Sequence, residues 1–286
     1  AVAGGTAYES MSGTSMASPQ IAGMSALLIQ YLEANGLEEK TGLSARKLAN
    51  SLLMSTAEPL REEESGGGYY SLLRQGAGLA NVRNAVNALS YILMDEDSTD
   101  AAADGKVKAE LGEDAARTGV YDYGFTIHNF TAEDESYTFG ADYFTQGLLE
   151  HDGVKLLDTC TTALPADTTF TVDDQPFVPT AAMQCDLDGD GDTDAEDAQY
   201  ILDYTAGIRT ELDTALADVD GDGSVTTQDA SCLLRSLQTA AFTVPAGGSV
   251  HVRVHTVLSA ETLASLKANY VNGAYVEGFA LVEPVT

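Results

Sequence analysis

Apolar residues recur at helical spacing through the first third of the chain and at alternating spacing through most of the remainder. Ile21, Met24, Leu27, Leu28 and Leu32 fit a helix over 15–35, with Asn35-Gly36 as its C-terminal stop. Pro19 lies so near the start that it removes little of the hydrogen-bond ladder. Ser44 suits an N-cap for a second helix over 44–56, in which Leu48, Leu52 and Leu53 share a face. The run Glu62-Glu63-Glu64-Ser65-Gly66-Gly67-Gly68 reads as an exposed loop. A turn at Gln75-Gly76-Ala77-Gly78-Leu79-Ala80-Asn81 then leads into a third amphipathic helix predicted over 82–93.

The period changes to two beyond that point. Residues 106–111, 121–130 and 137–144 alternate as half-buried strands do, and the alternation resumes over Phe242-Thr243-Val244 and at Val250, Val252 and Val254. A short helix over 260–270 and a last strand over 275–282 complete the pattern. Strands at this spacing, divided by turns such as Pro245-Ala246-Gly247-Gly248, predict an antiparallel sandwich.

Residues 184–240 interrupt the strands with an internal repeat at a spacing of 32 residues. Both copies read Asp-x-Asp-Gly-Asp-Gly, then Asp-Ala six residues on, then a shared leucine. This stretch holds twelve Asp, two Glu and two Arg, a net charge of −12. So many carboxylates stay together only where cations neutralise them. The expected organisation is thus residues 1–92, a β-rich unit from 93–183 and 241–286, and an insertion at 184–240. At 286 residues the chain is long enough for more than one core.

A net charge of −30 argues against nucleic-acid partners, whose phosphates it repels. No apolar run reaches the ~18 residues that a membrane span requires. Cys160, Cys185 and Cys232 are too few and too widely spaced for a disulfide framework or a zinc site, and at most one bridge, Cys160 with Cys185, is open to them.

The candidate chemistry lies in two places. The first is Ser12-Gly13-Thr14-Ser15-Met16-Ala17-Ser18-Pro19, where a glycine turn feeds the first helix. A hydroxyl there sits beside unpaired backbone amides and the positive end of the helix dipole, which suits a nucleophile whose attack creates an oxyanion. The string resembles the nucleophile motif of the subtilisin family of serine proteases. The Gln-Gly-Ala-Gly turn resembles the end of the catalytic domain in large cell-envelope members of the C5a-peptidase and lactocepin type. The resemblance implies that residues 1–92 are the C-terminal part of an α/β subtilisin-like domain and that Ser15 attacks peptide bonds of a protein substrate. Pro19-Gln20-Ile21-Ala22-Gly23 departs from the family's usual Pro-His-Val-Ala-Gly, at a position outside the triad. No block matches the family's His and Asp. His128, His151, His251 and His255 all fall in the strand zone, where His251 and His255 alternate with valines. The triad partners are therefore expected upstream, in a missing N-terminal part of the peptidase domain, and these 286 residues alone are expected to be inactive.

The second place is the repeat. Asp186, Asp188 and Asp190 occupy positions 1, 3 and 5 of a calcium loop, Asp192 offers its carbonyl at position 7, and Asp197 ends the loop at position 12. Asp218, Asp220, Asp222, the carbonyl of Ser224 and Asp229 repeat the set. Hard oxygen ligands at this spacing select Ca²⁺, two ions in all. Each loop is expected to run into a single helix, over 197–206 and 229–240. Such loop–helix repeats resemble a type I dockerin, which implies a cohesin-bearing scaffold as partner. The loop positions that help set cohesin choice, Ala195-Glu196 and Thr227-Gln228, differ between copies, and insertion within another domain is unusual for a dockerin. A purely structural calcium clamp thus remains the alternative, in a chain catalytically incomplete by itself. Segments such as Val244-Pro245-Ala246-Gly247 resemble the fibronectin-III-like domain found after the protease in these enzymes. Calcium loops of this kind and the resemblance together imply an extracellular or cell-surface setting, in a bacterial cell envelope.

Overall fold

The helical third assembles from its own capping chemistry. The structure, a computed structural model, describes residues 11–62, 68–100, 102–177, 185–189, 193–239 and 241–285. Helix α1 (Thr14–Ala34) runs to Asn35 and turns at Gly36, whose φ of 63° lies in the left-handed region. After one turn of helix, α2 (Leu37–Thr41), the Ser44 hydroxyl caps α3 (Ala45–Ser55) by accepting from the Lys47 amide at 3.3 Å. Leu28 and Leu32 of α1 pack in one core with Leu48, Ala49, Leu52 and Leu53 of α3. Met24, one turn earlier in α1, packs against that core, while Ile21 and Leu27 remain 45% and 59% exposed.

The third predicted helix is half right. After α4 (Leu72–Gln75), Asn81 caps α5 by accepting from the amides of Arg83 and Asn84, but α5 (Val82–Asn87) ends well short of residue 93. Residues beyond it form strand β1 (Ser90–Met94) instead. Tyr91 and Ile92 favour a pleated surface, and Tyr91 completes the helical core from the sheet side. The tertiary partner overrides the local helical spacing. The expected boundary between residues 92 and 93 falls within β1.

Eight more strands complete the β-rich part: β2 (Val120–Asn129), β3 (Glu135–His151), β4 (Val154–Ala163), β5 (Ala166–Val172), β6 (Gln175–Phe177), β7 (Phe242–Val244), β8 (Ser249–Leu258) and β9 (Glu277–Pro284). They build two antiparallel sheets. The first has the order β1-β2-β8-β5-β6; the second has β4-β3-β7, with β9 also paired to β3. Val250, Val252, Val254, Phe125, Ile127 and Phe170 of the first sheet share a core with Tyr137, Phe242 and Val244 of the second. The alternation of β8 is as expected, with its even-numbered residues buried. Helix α9 (Ala260–Asn269), capped by Ser259, joins β8 to β9.

The alternation over 106–111 does not become a strand. Val107, Ala109 and Leu111 find no sheet face, Leu111 stays exposed, and the segment is held by the Glu110 amide donating to the Ser98 carbonyl. Strands β4, β5 and β6 have no counterpart among the predicted elements. Their β-branched residues are largely threonines (Thr161, Thr162, Thr168, Thr169 and Thr171), which blur the contrast between apolar and polar positions.

Between β6 and β7 the chain forms α6 (Ala195–Thr205), α7 (Thr214–Ala217) and α8 (Thr227–Thr239). Ala198 and Ile201 of α6, Ala217 of α7, and Ala230 and Leu233 of α8 enclose a small core with Cys185 and Val219. The two main helices start two residues before the positions expected for them. The result is a mixed α/β chain with antiparallel sheets.

One polar contact joins the helical core to the first sheet. The fully buried Ser51 hydroxyl on α3 donates to the Ile92 carbonyl at 2.6 Å and accepts from the Ile92 amide at 3.0 Å. It thereby completes the edge of β1. Ser51→Ala leaves both backbone groups unpaired in the core, at a cost of about 1–3 kcal/mol. A thermal unfolding midpoint several degrees below wild type is the expected outcome.

Candidate catalytic and metal sites

Ser15 sits in the first turn of α1. Gly13 precedes the helix with φ 144° and ψ 171°, and its carbonyl accepts from the amides of Met16 and Ala17 at 2.9 and 3.1 Å. Among the described residues no side chain caps this end, and no acidic residue lies in the first turn. Ser15 is exposed to solvent. The unpaired amides and the dipole both favour negative charge developing on a group held here.

The four histidines are engaged elsewhere. His128 stacks on Tyr91 with ring centroids 4.7 Å apart, and burial pushes its pKa down. His151 pairs with Asp152 at the β3–β4 turn, 3.5 Å away. On the outward face of β8, His255 Nδ1 lies 2.7 Å from Asp122 Oδ1, and His251 Nε2 lies 2.8 Å from Asp95 Oδ2. His251 and His255 thus face Asp95 and Asp122, away from the buried valines of β8. The His251–Asp95 pair is built around a glycine: a Cβ on Gly124 would lie 2.1 Å from Asp95 Oδ2.

In the acidic insertion, carboxylate oxygens of Asp186, Asp188 and Asp197 all lie within 4.8 Å of one another, as do those of Asp218, Asp220 and Asp222. Asp190 and Asp192 lie outside the described residues. The position-6 glycine of the second loop, Gly223, has φ +88° and donates its amide to Asp218 Oδ2 at 2.9 Å. Next in the loop, Ser224 donates its amide to Asp222 Oδ1 at 2.8 Å. The other oxygen, Asp218 Oδ1, is buried without a hydrogen-bond partner among the described residues. An orphaned oxygen on a carboxylate that clusters with two more fits a hard divalent cation.

The position-12 aspartates have a role with no sequence signal. Asp229, fully buried, accepts from the amides of Val219 and Asp220 through Oδ1 and from the Thr226 amide and hydroxyl through Oδ2. Asp197 repeats this in the first loop, accepting from Leu187, Asp188 and Asp194 amides. Burial works to raise the Asp229 pKa, but the Thr226, Asp220 and Val219 amides outweigh it and hold the carboxyl below the usual range. Burial, together with the Asp197 and Asp229 charges, pushes the Cys185 thiol up to about 11. Cys185 forms no disulfide, and neither does Cys160, so the bridge considered between them is absent. Burial and separate partners account for this: Cys185 Sγ meets the Leu216 carbonyl, while Cys160 Sγ meets Glu62.

Two family models match this chain. Residues 1–90 match the subtilase family of peptidase S8, and residues 184–238 match the dockerin type I domain. Type I dockerins bind calcium. A PII-type proteinase of Lactococcus lactis subsp. cremoris is 31% identical over 156 residues, covering 51% of this chain and 8% of that protein. A C5a peptidase of Streptococcus pyogenes is 36% identical over 92 residues, which is 32% of this chain and again 8% of that protein. A PIII-type proteinase of L. lactis subsp. cremoris strain SK11 matches at 31% over 156 residues. Residues 1–90 are thus similar to the subtilases and residues 184–238 to the type I dockerins. The aligned segments span about 8% of the length of these relatives. Among the described residues, no helix is long and apolar enough to cross a membrane.

Gly124→Ala places a methyl group against the Asp95 carboxylate and separates it from His251. We expect a lower thermal midpoint for this variant, and a smaller loss for Asp95→Asn, which keeps a hydrogen-bonding oxygen or amide at the same place.

Proposed function

We propose that Ser15 is the nucleophile of a serine endopeptidase and that residues 1–92 are the C-terminal part of its subtilisin-like catalytic domain. The observation that carries this reading is the position of Ser15 in an uncapped first helical turn, within a segment that matches the subtilases. In the proposed reaction the Ser15 hydroxyl adds to the scissile carbonyl and its proton passes to a histidine, oriented by an aspartate. The amine then leaves with that proton, and water hydrolyses the acyl-enzyme. The histidine and aspartate are supplied by residues outside these 286, because the histidines present are engaged in the sheets. Partial negative charge on the carbonyl oxygen is stabilised by the amides around the start of α1.

Residues 93–183 and 241–286 form, in this reading, a fibronectin-III-like sandwich. Residues 184–240 are a dockerin-like insertion binding two Ca²⁺. Asp186, Asp188, Asp190, Asp192 and Asp197 would hold one ion; Asp218, Asp220, Asp222, Ser224 and Asp229 would hold the other. The orphaned Asp218 Oδ1 and the clustered carboxylates support this. Bound calcium neutralises the loops and contributes folding free energy. The insertion docks the enzyme on a cohesin-bearing scaffold outside the cell or on its surface. The unlike pairs Ala195-Glu196 and Thr227-Gln228 favour a second reading, in which calcium only stiffens the insertion.

A fluorophosphonate probe on the longer protein should label Ser15, and Ser15→Ala should abolish both labelling and peptide hydrolysis. The 286-residue chain alone should not turn over peptides above background; a Ser15-dependent turnover by it would place the base within these residues.

Calorimetric titration should find two Ca²⁺ per chain, with Asp186→Ala and Asp218→Ala each removing one. Calcium-dependent capture by a cohesin supports the docking role. Calcium binding without capture favours the structural clamp.

A further inference from the structure

A small hairpin from the helical third lies against the second sheet, and its chemistry is unlike a passing surface contact. Residues 60–62 and 68–70 form its two sides. The Tyr70 amide donates to the Leu60 carbonyl at 3.0 Å and the Glu62 amide to the Gly68 carbonyl at 2.8 Å. Gln75 ties its base, accepting from the Leu60 amide at 2.7 Å and donating to the Tyr70 carbonyl. Tyr70 then pairs with Cys160 on β4, and the Thr161 hydroxyl donates to the Tyr69 carbonyl. The approach is so close that a Cβ on Gly68 would lie 2.6 Å from the Thr161 carbonyl.

The side chains on this seam are interlocked. The Tyr69 ring packs 5.3 Å from Phe144 of β3 and 5.1 Å from Phe279 of β9, between centroids. Its hydroxyl donates to Asp142 Oδ2 at 2.7 Å, and the Arg61 guanidinium lies 4.3 Å over the same ring. Next to it, the Ser71 hydroxyl donates to Glu277 Oε1 at 2.9 Å and the Leu72 amide donates to Glu277 Oε2 at 3.2 Å. Ser71 is 1% exposed and Glu277 only 9%. A buried carboxylate that spends both oxygens on a segment more than 200 residues away is costly unless that segment stays in place.

We propose that the second sheet is a permanent docking surface for the paired segments 60–62 and 68–72, with Glu277 and Tyr69 as its keystones. The helical third and the two sheets then unfold as one cooperative unit, not as tethered modules. Two independent links act in parallel: this seam at β4, and β1 with Ser51 at the first sheet. The inference stands apart from the protease reading, since it involves neither Ser15 nor the insertion.

Hydrogen exchange resolved by mass spectrometry on the full chain tests it. In wild type, amides of 45–55 and of 135–151 should share one opening equilibrium across a denaturant series. Glu277→Ala and Tyr69→Ala should raise exchange in both regions together, on the order of tenfold. Glu277→Gln keeps one acceptor and one polar partner and should give a smaller rise in both. Wild-type regions that open separately would overturn the proposal, as would a variant that loosens 45–55 while 135–151 is unchanged. Because the wild-type profile is itself decisive, a variant that fails to fold leaves the test intact.

Discussion

A sheet edge presents a row of unpaired amides and carbonyls, and closing such edges is the constraint on which this structure turns. At β1 the closure comes from one hydroxyl, Ser51, which pairs with both backbone groups of Ile92. At β4 it comes from a hairpin, with Tyr70 opposite Cys160. Both closing groups belong to the helical third of the chain. That third in turn gains the apolar surface it lacks: Tyr91 from β1 completes its core, and Phe144 and Phe279 receive Tyr69. Helices and sheets therefore satisfy each other's polar and apolar requirements at the same places.

The insertion obeys a different constraint, because its carboxylates repel. Its loops solve part of this internally. Asp197 and Asp229 are turned onto loop amides, so their charge is spread over several donors before any cation is considered. Carboxylate oxygens of Asp186, Asp188 and Asp197, and those of Asp218, Asp220 and Asp222, still gather within 4.8 Å of one another. The last aspartate of each repeat thus shapes the loop from within, and earlier ones also accept loop amides, Asp186 from Gly189, Asp218 from Gly223 and Asp222 from Ser224.

Much of the fold is legible in the residues because local rules and tertiary packing agree. Ser44, Gly36 and the Leu48–Leu52 face place α3; the valines of β8 place its buried face; the Asp-x-Asp-Gly-Asp-Gly repeats locate both loops. Where the two disagree, the packing partner wins. Residues 90–94 carry helical spacing, but the edge of β2 and the Ser51 hydroxyl recruit them as a strand. Residues 106–111 carry strand spacing, but no sheet edge is available to them, so they stay irregular. Strands β4 and β5 hide behind threonine, whose side chain serves a pleated surface while looking polar in the sequence. The Glu277–Ser71 seam has no sequence signal, since a pairing across two hundred residues leaves no periodicity to read.

The helix that bears Ser15 shows the same logic in reverse. From Thr14 to Leu32 it carries no charged residue, the composition of a helix covered on most sides. Within this helix only Leu28 and Leu32 reach zero exposure; Met24 is partly buried, and Ile21 and Leu27 are uncovered. The seam and the edge closures all act beyond Leu28, and among the described residues Met24 is the earliest α1 side chain packed against the helical core. The proposed remainder of a peptidase domain would supply what that face lacks: apolar cover for Ile21 and Leu27, and a proton acceptor for Ser15. One body of residues would then meet both needs, since Ser15, Ile21 and Leu27 all lie on this one helix.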